Sequence, residues 1–120
     1  MKLNSLKSAG LGKLNAVTPV CIKKAVTADA TGGLVIDVPF SFEISHVVVQ
    51  SDATVSNATA KLTDGTNDIT NAVVCATLDG CIYNATIDVT YRNVSKGGVL
   101  KVVTANAADR ATLYIYGVRT

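Results

Sequence analysis

No tryptophan occurs in the 120 residues, and four tyrosines and two phenylalanines supply all the aromatic surface. The apolar mass must come from Val, Ala, Ile and Leu, whose β-branched members favour strands. Histidine is as scarce: His46 is the only one, at the head of a valine run and without any GxSxG turn in the chain. A Ser/His/Asp centre has nothing to stand on. Glutamate appears once, at Glu43, and the eight aspartates fall mostly in turns or at alternate strand positions. No spacing picks out the carboxylate pair that glycoside hydrolysis needs. The Gly32-Gly33 and Gly97-Gly98 pairs lack the Lys and helix of a phosphate loop and read as turns. The sequence is therefore read as a non-enzyme without a cofactor.

Cysteine is limited to Cys21, Cys75 and Cys81, an odd number with no CxxC spacing. That excludes a disulfide framework and argues against zinc. Cys75 and Cys81 flank Leu78-Asp79-Gly80, and a bridge across that turn is the alternative to free buried thiols, which synthesis inside a cell favours. The oxygens of Asp64, Thr66, Asn67 and Asp68 fall far short of an EF-hand and read as a turn rather than a calcium loop. No apolar run approaches the roughly 18 residues of a membrane span. Lys7 and Lys13 interrupt any signal-peptide core, so a soluble protein made in the cytoplasm is expected.

Charged residues are few, 17%, against 48% hydrophobic, the reverse of the composition of disordered chains. The charge is also unevenly placed. Residues 1–24 hold Lys2, Lys7, Lys13, Lys23 and Lys24 with no acid, whereas residues 25–120 hold six basic side chains and all nine acidic ones. The division suggests a basic N-terminal arm (1–24) and a folded domain (25–120), the arm docking on a negative surface of another protein. The lysines come without arginine or aromatic neighbours, which weakens nucleic-acid recognition.

From residue 34 onward, short β-branched runs alternate with turn signals about every ten residues. Leu34 to Val38 is the first, closed by Pro39. Phe40 and Phe42 alternate with Ser41 and Glu43, and Val47-Val48-Val49 suits a strand covered on both faces. Ala58 to Thr63 runs into Asp64-Gly65, the best hairpin signal. Asp68 to Cys75, Cys81 to Tyr91, Val99 to Thr104 and Ala111 to Val118 complete the series, with a further strand at Val17 to Ala25. About eight strands and no helical stripe predict an all-β antiparallel sandwich of jelly-roll or Greek-key type with an extended N-terminal arm.

The stretches His46 to Gln50 and Ala58 to Gly65, with the closing stretch from Gly97 through Tyr116, together resemble the small β-rich capsid decoration (cement) and head-fibre proteins of tailed bacteriophages. The likeness covers residues 34–120 and is one of texture. It implies a structural virion protein, a homotrimer bound to the major capsid protein on the outer capsid surface, where it stabilises the shell. Lys2, Lys7, Lys13, Lys23 and Lys24 are then the candidate capsid contacts. A tail or fibre part is one alternative. A carbohydrate- or receptor-binding sandwich is another, and would draw on Tyr83, Tyr91, Tyr114 and Tyr116.

Overall fold

A computed structural model describes residues 18–52, 55–75 and 81–120. Lys2, Lys7, Lys13 and the Leu78-Asp79-Gly80 turn lie outside the described residues. Alternation of β-branched and polar residues produces nine strands and, among the described residues, no helix. They are β1 (Pro19–Ala25), β2 (Leu34–Val35), β3 (Phe42–Ser51), β4 (Thr59–Thr63), β5 (Val73–Val74), β6 (Ile82–Asn84), β7 (Asn93–Val94), β8 (Lys101–Thr104) and β9 (Ala111–Arg119).

Two antiparallel sheets result. The first has the order β1-β9-β3-β6, with β7 also pairing β3; the second has the order β2-β8-β4-β5. First and last strands pair, β2 pairs β8, and β4 pairs β5, so the chain wraps as a folded-over hairpin. That nesting is a jelly roll. Between the alternatives left open by the sequence, strand order decides. The core lies between the sheets: Phe42, Ile44, Val47, Val49, Leu113 and Ile115 from one, Leu62 and Val102 from the other, and Ile69 and Leu100 from the connecting segments, all essentially inaccessible. Each such side chain contributes about 1.5–3 kcal/mol of transfer free energy.

The apolar phase of β3 changes midway. Phe42 and Ile44 are buried, then Val47, Val49 and Ser51, with Ser45 and His46 exposed between them. A bulge between Ile44 and His46 explains the shift, because the extra residue reverses which parity faces inward. Val48 is thus outward and half-buried, and the valine run is not covered on both faces. Opposite the bulge stands Gly117, where an added Cβ would sit 2.2 Å from the Glu43 carbonyl oxygen.

Residues 81–91 also depart from the continuous strand that their alternation predicts. Val48 to Gln50 pair with β6, and the Ala85 N–H donates to the Val47 carbonyl. One residue later the chain turns to the segment between β4 and β5, with the Asn71 N–H donating to the Thr86 carbonyl, the Asp88 N–H donating to the Ile69 carbonyl and Ile87 bridging to Thr70. The alternation persists while the partner changes. Likewise Asn93, expected in a loop, forms β7 against Glu43, and the Leu34 to Val38 run keeps only Leu34–Val35 as strand. The Asp64-Gly65 turn forms as expected: Gly65 has φ +96°, which glycine alone adopts freely, and Thr63 bridges to Asp68.

Gly117→Ala should cost about 1–3 kcal/mol through overpacking against the bulge. Gly32→Ala, where an added Cβ meets nothing within 4 Å, should stay within about 0.5 kcal/mol. Urea denaturation of the two variants side by side checks this; equal midpoints would be the contrary result.

Candidate functional surface

The parity of β1, β3, β6 and β9 sorts residues to the outer face of the first sheet. Register places Lys23, Tyr114, Val48 and Asn84 in one row, Cys21, Tyr116 and His46 in a second, and Gln50 beside Ile82 in a third. Neighbouring strands lie about 4.8 Å apart, so these rows make a gently twisted platform. Lys23 lays its Nζ 5.7 Å from the centre of the Tyr114 ring, within cation–π range. The Tyr114 hydroxyl donates to Gln50 Oε1 at 3.2 Å. The His46 and Tyr116 rings are 6.0 Å apart and tilted by 35°, and Ser45 Oγ donates to the Tyr116 carbonyl at 3.3 Å.

Among the described residues, carboxylates occupy only the margins of this face. Glu43 pairs with Arg92 at 3.1 Å at one end, and Asp52 accepts the Thr112 hydroxyl at the other. Among the described residues, the centre carries Lys23 as its only fixed charge, flanked by two phenols and an imidazole. Ile82, 66% exposed, adds an apolar corner. A face of this kind suits recognition of a partner surface through aromatic and hydrogen-bonding contacts.

Of the lysines drawn from the sequence, Lys23 and Lys24 stand on β1 within the sheet. Lys23 points outward and Lys24 is half-buried on the opposite face. The four tyrosines divide. Tyr114 and Tyr116 share the outer face, whereas Tyr83 and Tyr91 are partly buried against the core. His46 neighbours Tyr116 and lies on the bulge, not beside a nucleophile. The arrangement of Gln50, Val48 and Ile82 around the tyrosines was missed by sequence reasoning. Its only signal was the phase change in β3.

The remaining candidates serve the fold. Asp64 Oδ1 accepts the N–H groups of Thr66 (2.9 Å) and Asn67 (2.6 Å), while Asp68 pairs with Lys61 at 3.1 Å. The Asn67 and Thr66 amides hold the Asp64 carboxyl below its ordinary range. Its contribution to the turn is therefore full above the ordinary carboxylate range and is lost as pH falls through the depressed value. All three cysteines are free thiols. The Ser51 N–H donates to the Cys81 carbonyl and Ser51 Oγ to the Cys75 carbonyl, so one buried serine ties both residues without a bridge. Asp109, fully buried, accepts the amides of Asn106 (2.9 Å) and Thr59 (3.3 Å) and fixes the β8–β9 loop to β4.

The chain matches no protein-family model and no curated protein sequence. The surface is thus defined by its own geometry.

Burial pushes the Cys75 thiol up, and the charges of Asp109 and Asp52 add to the effect, whereas Cys21 is exposed. A thiol-directed reagent at pH 8 should therefore label Cys21 in the native protein and reach Cys75 only after unfolding. Peptide mapping distinguishes the two, and native labelling at Cys75 would contradict the burial.

Proposed function

We propose that this chain is a non-enzymatic structural protein of a virion, a capsid decoration or cement protein that binds the outer capsid surface as an oligomer and stabilises the shell. The observation that carries the reading is the position of β1. It brings Lys23 to the same outer face as Tyr114, Tyr116 and His46, and it follows directly in sequence on the stretch that carries Lys2, Lys7 and Lys13. A basic segment and an aromatic, nearly acid-free face are continuous through one strand. Lys2, Lys7 and Lys13 supply charge for steering and Tyr116 a central anchor, against an acidic and aromatic-accepting patch of the major capsid protein. Neither nucleic acid nor a membrane is required as partner.

A jelly roll hosts many functions, so the fold supports this reading only by analogy. The pair Tyr114–Tyr116 favours a second reading, a carbohydrate- or receptor-binding module, because two rings on alternate residues of one strand face the same way.

Co-sedimentation with capsids stripped of surface proteins tests the first reading. Removal of residues 1–16 or Tyr116→Ala should each lower the affinity for capsids about tenfold or more, equivalent to about 1.4 kcal/mol. Attachment unchanged by both would sink it. Glycan-array binding lost on Tyr116→Ala, without capsid attachment, would establish the second reading instead.

A further inference from the structure

Sheet edges differ sharply in this molecule. Among the described residues, three of the four sheet margins are made of very short strands: β2 and β5 in one sheet, β6 with β7 in the other. Short edges are one of the ways proteins avoid pairing with foreign strands. The fourth margin is β1, which runs for seven residues from Pro19 to Ala25 without a bulge and, among the described residues, pairs only with β9.

The direction of its backbone groups follows from the ladder. The Arg119 N–H donates to the Thr18 carbonyl and the Val26 N–H to the Ala111 carbonyl. In an antiparallel pair, hydrogen-bonded positions recur at every second residue. Thr18, Val20, Ile22, Lys24 and Val26 therefore bond to β9. The backbone groups of Cys21, Lys23 and Ala25, and the Pro19 carbonyl, point out of the sheet.

Lysines on an edge ordinarily repel an incoming strand. Here Lys23 is drawn back over the Tyr114 ring of its own sheet, and Lys24 is half-buried on the inward face. We propose that β1 is a self-association edge: a second copy of this chain adds its own β1 antiparallel to the first, about a two-fold axis at Ile22. In that register Cys21 faces Lys23 of the other copy, Val20 faces Lys24, and Pro19 faces Ala25. Every outward N–H of Cys21, Lys23 and Ala25 finds a carbonyl, and no lysine stands opposite a lysine. The contact is isologous, closes at two copies and, among the described residues, leaves no long edge exposed. It gives a two-fold pair where the phage resemblance implies a trimer, and it stands on backbone geometry independently of the capsid reading.

Light scattering on the size-exclusion peak of the full chain at about 100 μM tests the pairing. The expected mass is twice that of the 12.4 kDa chain. Lys23→Pro removes an outward N–H and leaves the β9 ladder intact, so it should yield a monomer with unchanged circular dichroism. Lys23→Cys should give a quantitative disulfide-linked dimer on mild oxidation, joining Cys21 to the introduced thiol of the other copy. This second variant decides the matter if Lys23→Pro fails to fold. A monomeric or trimeric wild type would overturn the proposal, as would a dimer that persists in folded Lys23→Pro. Efficient wild-type crosslinking through Cys21 alone would overturn the Ile22 register. A dimer that does not attach to capsids would leave the pairing standing and remove only the capsid reading.

Discussion

The antiparallel pairing of β3 with β9 is the contact on which the rest of the molecule depends. It is the longest ladder among the described residues, longer than the terminal β1–β9 pairing, and it joins Phe42–Ser51 to Ala111–Arg119 across the full length of the first sheet. Four of its inward residues, Val47, Val49, Leu113 and Ile115, form the floor of the core. The bulge at Ser45 lets both halves of β3 turn apolar side chains inward although their sequence phases differ. Gly117 is the complement of that irregularity, since only a residue without a Cβ fits beneath the displaced Glu43 carbonyl.

From this ladder the outer surface follows. Once Val47 and Val49 are committed to the core, His46, Val48 and Gln50 must face outward, and the same rule sends Tyr114 and Tyr116 to that side of β9. β1 then pairs with β9 and adds Lys23 and Cys21 to the same face. The surface proposed for recognition is therefore the reverse side of the core pattern. Its chemistry is set by residues whose partners across the ladder are fixed by packing.

Much of the fold was legible because β-branched alternation and turn dipeptides act locally. β4 and β8 lie within the runs that their sequences mark, β9 runs one residue past its own to Arg119, and Asp64-Gly65 makes its turn. What stayed hidden depends on distant partners. The change of partner between Ala85, bonded to Val47, and Thr86, bonded to Asn71, leaves the alternation untouched, so no local signal betrays it. β7 is only two residues long and exists because Glu43 and Phe42 offer an edge. The site was legible in part: Lys23 and Tyr114 were both singled out, but their proximity requires the first and last strands to pair, a contact between residues 91 positions apart in sequence.

That terminal pairing separates a jelly roll from a simple meander in which each strand pairs with the next. Proximity of α-protons, measured by nuclear Overhauser effects, tests it most directly, because facing residues of a non-hydrogen-bonded antiparallel pair bring their Cα atoms to about 4.5 Å. Strong contacts are expected between Cys21 and Tyr116, between Lys23 and Tyr114, and between Val47 and Ile115. Contacts of β1 with β2 in their place would contradict the wrap, and with it the outer face built on it.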